Sequence, residues 1–251
     1  MVFKALQILS VSMLLPSWFA LAAGPIDYAN FPDFKGNTIE VSETITVKPG
    51  EVFDGNGNLY KWIGAGDCSQ KEGMPAMFEV FASATLKNVW MENAPDGIHI
   101  KGSDVTIDGI VNVDVCEDAI SISKSKTSPQ RENITIINSK FYACEDKAIQ
   151  LTRGNGIVIK NNEFYFCAKA VRIKEDAKNI LFENNKVFNS KHAIKVTGGK
   201  GLAKDNYFEF SKTGFWVEKG GELIDGGGNV FVDVEAKYKE TENGKINRQS
   251  N

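Results

Sequence analysis

Between Asp96 and Val217 the chain repeats one short phrase six times: a small residue, an apolar one, a variable residue, then an aliphatic. The copies begin at Gly97, Ala119, Ala148, Ala170, Ala193 and Gly214, with spacings of 22, 29, 22, 23 and 21 residues. A period in that range, built from short strand-forming runs, predicts a stacked solenoid. Stacking converts sequence period into spatial columns. The residue before each small position reads Asp96, Asp118, Lys147, Lys169, His192, Thr213, and the residue two after it reads His99, Ser121, Gln150, Arg172, Lys195, Trp216. Two adjacent columns this rich in charge are not packing positions and are expected to form a site.

A second apolar–variable–apolar series keeps step with the first, at Val105, Ile134, Ile157 and Ile180. A third follows an asparagine turn, at Asn138, Asn161 and Asn184, and Asn162, Asn185, Asn206 and Asn229 recur beside it. Asparagine tolerates the left-handed conformation of a tight corner, and stacked amides can bond to one another. Three short strands and three corners per coil predict an all-β, single-domain right-handed parallel β-helix with a repeat of about 22 residues and about eight coils. A leucine-rich repeat would need a leucine-dominated phrase that is absent here.

With 251 residues and 42% hydrophobic content the chain can bury one substantial core. Residues 1–22 carry Lys4, an apolar run broken by polar residues and Pro16, and the small-x-small end Ala20-Leu21-Ala22, which reads as a secretory signal. The β-helix is then expected over residues 23–233 and a polar tail or cover over 234–251. The protein is expected to be secreted, monomeric and not anchored in a membrane. A formal charge of −3 argues against nucleic acid as the partner. Cys68, Cys116, Cys144 and Cys167 are compatible with disulfides in an oxidising compartment, and Cys144 and Cys167, 23 residues apart, can stack on neighbouring rungs. The 29-residue coil carries its extra length in the polar loop Lys124–Glu132, beside the charged columns.

The columns have a chemical logic. Asp96 and Asp118 on adjacent rungs, with Glu117 alongside, repel one another unless a cation neutralises them. An oxygen-only donor set favours Ca²⁺. Lys147 and Lys169 continue the column, and Arg172, Lys195 and His192 lie beside them. Lys169 and Arg172 are three residues apart, which in a straight strand puts them on opposite faces, so a bend at the lysine is required. The whole forms an anion trough next to a metal, suited to a polyanionic chain.

The motifs Asp96-Gly97-Ile98-His99, Val115-Cys116-Glu117-Asp118-Ala119, Asp146-Lys147-Ala148-Ile149-Gln150 and Lys169-Ala170-Val171-Arg172 stand in the order and near spacing seen in family 3 pectate lyases. Upstream, Glu72-Gly73-Met74-Pro75-Ala76-Met77-Phe78-Glu79 resembles the same family, so the resemblance covers roughly residues 54–175. It implies a secreted, Ca²⁺-dependent parallel β-helix that cleaves polygalacturonate in pectin by β-elimination. It also implies metal binding by Asp96, Glu117 and Asp118, catalysis by Lys147, Lys169 and Arg172, and substrate contact by Lys169, Arg172, Lys195 and His192. The chain departs from the family's pattern at Ile100, Asp104, Ile173 and Lys174, where cysteines are usual, so disulfide pairing does not carry over.

β-Elimination removes the proton α to a uronate carboxylate and expels the C4 oxygen. It needs cations on that carboxylate and a base that is neutral at working pH. Lysine can be such a base when a second ammonium and a metal lower its pKa. Lys147 is therefore expected to be the base and Arg172 the bidentate carboxylate clamp, with the reversed assignment as the alternative. Two other functions fit the scaffold. A polygalacturonase-like hydrolase would draw its acids from Glu117, Asp118, Glu145 and Asp146. A non-catalytic adhesin or carbohydrate-binding protein would leave the lysines unexplained.

Overall fold

The computed structural model describes residues 34–69, 73–122 and 130–249. The signal-like segment 1–22, Glu72 and most of the loop at 124–132 lie outside the described residues. Within them the chain forms 23 strands in one continuous parallel system, with no helix. It winds as a right-handed β-helix, three strands to a coil, as the repeat predicts.

Register along the site-bearing sheet is explicit. Ile45, Phe78, Ile98, Ile120, Ile149, Val171, Ile194, Phe215 and Tyr238 are Cα partners in succession. That is nine rungs, one more than the repeat predicted. The additional rung is Ala236–Glu240, from the segment read as a tail or cover, and the nearby Lys245–Arg248 pairs with Glu222–Asp225 on another sheet. This last coil covers the end of the stack. It escapes the sequence pattern because its outer side has no further coil to bury it: Tyr238 is only half-buried where Phe215 is 0% exposed.

The small residue that opens the phrase has a steric cause at Gly97. A Cβ built on Gly97 would come within 2.3 Å of the Ala119 carbonyl oxygen on the next rung. The ladder also passes over this position repeatedly: Lys147 pairs with Lys169 and Ile149 with Val171, while Ala148 has no Cα partner. The break supplies the bend that the charged columns require. Ala170 and Val171 are both buried, so Lys169 and Arg172 can both stand on the outer side.

Inside, each sheet contributes its own apolar column. Leu86, Ile107, Ile136, Ile159 and Phe182 line one wall, and Phe141, Phe164, Val187 and Phe208 another. The Phe141 and Phe164 rings stack at 4.9 Å. Turn asparagines divide their labour. Asn138, Asn161 and Asn184 take the positive φ (54°, 59° and 51°). At the next position of the corner, Asn162, Asn185 and Asn206 point inward, 1% exposed, and hand hydrogen bonds from rung to rung. Asn162 Nδ2 donates to Asn185 Oδ1 (3.0 Å), Asn185 Nδ2 to Asn206 Oδ1 (3.2 Å) and Asn206 Nδ2 to Asn229 Oδ1 (2.9 Å). Cys144 and Cys167 pair across neighbouring rungs, as their spacing allowed, and Cys68 pairs with Cys116.

The inward amides carry more stability than the turn conformation they accompany. Asn185→Ala strands the Ile159 carbonyl, which Asn185 Nδ2 serves, and the Asn162 amide groups that donate to its Oδ1. It is expected to cost about 2–4 kcal/mol, lowering Tm by roughly 5–15 °C. The exposed Asn184→Ala loses mainly left-handed tolerance, about 1 kcal/mol. Calorimetry on both variants checks the order.

Candidate active site

The ladder brings the expected residues into one line. Asp118, Lys147, Lys169 and His192 are successive Cα partners, as are Ser121, Gln150, Arg172 and Lys195. Asp96 joins from the rung before, where its Oδ1 accepts the Asp118 backbone N–H at 3.3 Å. His99, read from sequence as part of the outer column, has its Nε2 2.8 Å from the other Asp96 oxygen.

Asp118 and Lys147 form the buried heart of the line, 2% and 3% exposed. Lys147 Nζ lies 3.0 Å from Asp118 Oδ1, and Gln150 Nε2 donates to Asp118 Oδ2 at 2.8 Å. Burial pushes the Asp118 carboxyl up to about 7, against the pull of Lys147 and with the added repulsion of Asp96 and Asp146. Glu117 is half-buried next to it, and its carbonyl accepts the Lys147 backbone N–H at 3.4 Å.

The residue that sequence reasoning underused is Asp146. Its two carboxylate oxygens reach Lys147 Nζ and Lys169 Nζ, bridging consecutive rungs. Asp146 was considered only as an acid for a hydrolase. The clue was its place directly before Lys147, on the corner where a side chain can turn toward the next rung. Lys147 and Lys169 together hold its carboxyl below the usual range despite burial.

This bridge works against the lowered pKa expected of Lys147 beside a metal. Burial does pull Lys147 down, but Asp118 and Asp146 outweigh it and raise the ammonium above its ordinary value. Lys169 goes the other way. Burial lowers it, Asp146 opposes, and Lys147 and Arg172 push it further down. Of the two lysines, Lys169 is the one set to lose its proton. Arg172 is half-buried beside it, with its Nε lacking a hydrogen-bond partner.

His192 continues the lysine column as a neutral ring. It is 5% exposed, meets the Trp216 indole edge-on at 4.7 Å, and has no partner for Nδ1. Burial, then Lys191, Lys195, Lys169 and Lys239, lower its pKa to about 3. Lys195 is 3.1 Å from Glu218 Oε1.

Among the described residues, no three carboxylate, histidine or cysteine side chains converge closely enough to form a metal cluster. The donor chemistry nonetheless fits a hard cation. Asp96 and Asp118 offer oxygens on adjacent rungs, and a buried carboxyl pushed up to about 7 is one that gains from more positive charge.

The His192 environment predicts a pH signature. Its folded-state pKa lies below the unfolded value of ~6.5, so its contribution to stability is present above that pH and lost as pH falls toward 3. Comparing wild type with His192→Gln by thermal unfolding cancels the carboxylates. The wild type should lose roughly 2–3 kcal/mol more than the variant between pH 7 and pH 4.

Comparison with known proteins follows the same outline. The probable pectate lyase F of Aspergillus flavus is 34% identical over 141 residues, covering 55% of this chain and 58% of that protein. Its counterpart in Aspergillus fumigatus is 37% identical over 113 residues, covering 43% and 46%. The chain thus spans about half the length of the curated relatives it matches. Among solved structures, endopolygalacturonase I from Stereum purpureum shares the fold with a TM-score of 0.57 at 18% identity, covering 86% of this chain and 85% of that one. An alginate lyase from Paenibacillus does so at 0.53 and 15%, covering 92% and 94%. The family model for pectate lyases matches residues 29–209, most of the chain, and the chain belongs to the pectate lyase family.

Proposed function

We propose that this protein cleaves α-1,4-polygalacturonate by β-elimination, giving 4,5-unsaturated oligogalacturonide ends. The observation that carries this reading is the chain of contacts Asp118–Lys147–Asp146–Lys169 across three consecutive rungs, with Asp96 and Asp118 at one end and Lys169 and Arg172 at the other. It joins a cation-seeking carboxylate end to a carboxylate-seeking cationic end. A hydrolase needs two carboxyl groups free to act on opposite sides of the bond. Here Asp118 and Asp146 are both engaged by Lys147, with Asp146 also engaged by Lys169.

In the proposed reaction Arg172 holds the uronate carboxylate with its planar fork. Lys169, destabilised as an ammonium, takes the C5 proton through Nζ. The electron pair of that C–H bond forms the C4–C5 double bond as the C4–O bond breaks, the departing oxygen takes a proton from water to become a new sugar hydroxyl, and Lys169 returns its proton to solvent. Lys147 stays charged and lends positive potential where negative charge develops. Lys195 extends contact along the substrate, and His192 packs behind the contact residues as a neutral ring. Asp96, Glu117 and Asp118 are the residues that would hold Ca²⁺, which would supply charge neutralisation of the substrate carboxylate when bound. The leader-like segment 1–22 supports a secreted, extracellular protein. We take it to work as a monomer on pectin, with neither nucleic acid nor membrane as partner.

Two experiments test this. Polygalacturonate incubated with the protein should release ultraviolet-absorbing unsaturated ends, lost on chelation and restored by Ca²⁺. Saturated reducing ends would instead indicate a hydrolase, and binding without cleavage an adhesin. Among the cations, Lys169→Arg keeps charge but cannot give up its proton, so kcat should fall by ~10²-fold or more while affinity largely persists. Arg172→Lys should mainly raise KM. If Lys147→Arg is the dead variant and Lys169→Arg turns over normally, the base is Lys147.

A further inference from the structure

The column that carries Arg172 does not stop at the reacting cluster. Arg172 pairs with Lys195, Lys195 with Trp216 and Trp216 with Lys239. Nζ of Lys195 sits 3.7 Å from the centre of the Trp216 ring, and Nζ of Lys239 sits 4.0 Å from it. The two lysines come from the rungs on either side of the indole. The ring is held in turn by its Nε1, which donates to Thr241 Oγ1 at 3.1 Å, and by the edge contact with His192.

The two ammonium groups are not equivalent. Lys195 is nearly buried and has Glu218 as its counter-ion at 3.1 Å. Lys239 is exposed and makes no salt bridge with a carboxylate among the described residues. An ordinary surface lysine roams in solvent. This one is drawn to an aromatic face at the end of a cationic column, which reduces the freedom it would lose on meeting an anion.

We propose that Lys239, with Trp216 and Lys195, forms a further subsite for one carboxylate-bearing sugar of a polyuronate chain, on the C-terminal side of the reacting cluster. It rests on the reading of the protein as acting on polygalacturonate. Three rungs separate Lys239 from Arg172, about 14 Å at the usual strand spacing, so only chains of several sugars reach both. Lys239 supplies the counter-charge for the carboxylate. The indole spaces the two ammonium groups and holds them on the rungs either side of it. The subsite selects for substrate length and takes no part in bond breaking.

Steady-state kinetics on trigalacturonate, hexagalacturonate and de-esterified polygalacturonate test this with wild type, Lys239→Ala and Lys239→Glu. Lys245→Glu makes the same charge change on another sheet of the last coil and serves as the control. Circular dichroism and Tm establish that each variant is folded. Lys239→Glu should raise KM on the hexamer and polymer by about threefold to tenfold, with Lys239→Ala smaller, while the trimer KM moves by less than about twofold. Equal shifts at all lengths, no shift at all, or an equal shift from Lys245→Glu would overturn the subsite and leave the lyase reading standing. Wild-type protein that neither cuts nor binds polygalacturonate would sink the lyase reading, and the subsite with it.

Discussion

Everything at the site depends on the hydrogen-bonded ladder between parallel strands. Parallel pairing places each residue beside its counterpart one coil away, so a sequence column becomes a row of side chains about 4.8 Å apart. At that spacing two unit charges in a medium of effective dielectric ~20 interact by about 3 kcal/mol. The row Asp118, Lys147, Lys169 is therefore strongly coupled by construction. A side chain's protonation state here is set by its neighbours above and below before any ligand arrives.

Asp146 decides how that coupling is shared. Without it, Lys147 and Lys169 would be two ammonium groups in direct opposition beside one buried carboxylate. With it, Lys147 lies between two carboxylates and is raised, while Lys169 shares one carboxylate and faces both Lys147 and Arg172, and is lowered. The same two residue types on adjacent rungs are thereby pushed to opposite sides of their ordinary value. Environment alone makes one ammonium harder to deprotonate and the other easier.

The fold was legible in the sequence because each coil must repeat its own packing problem. The small residue before each inward aliphatic, the inward columns and the asparagine corners all recur at the coil period, and the structure gives each a steric or hydrogen-bonding cause. The last coil was not legible, since the end of a stack has no neighbour to impose the phrase. At the site, the columns were readable but the ionic contacts were not. Asp146 sits on a corner, where the direction of a side chain does not follow from strand alternation, and its bridge favours the charged form of Lys147. His99 and Gln150 were placed in a column by their spacing, yet their bonds to Asp96 and Asp118 needed coordinates.

The cross-links stand beside the same row. Lys147, Lys169 and Arg172 gather positive charge on two consecutive rungs, and Asp146 offsets part of it. Cys116 stands two residues before Asp118, Cys144 three before Lys147, and Cys167 two before Lys169. Each of these three cysteines thus sits at the corner that leads into a charged strand, and the Cys144–Cys167 bridge ties together the two coils that Asp146 also spans. One rung further, where the column passes from lysine to neutral His192, the equivalent corner position is Ser190, whose hydroxyl merely donates to the Phe188 carbonyl at 3.2 Å. The disulfide thus reinforces the pair of coils that Asp146 bridges, and the next corner carries a hydrogen bond in its place. The corner column and the charged column thus run side by side, and the same two coils are tied by an ionic bridge and by a covalent one.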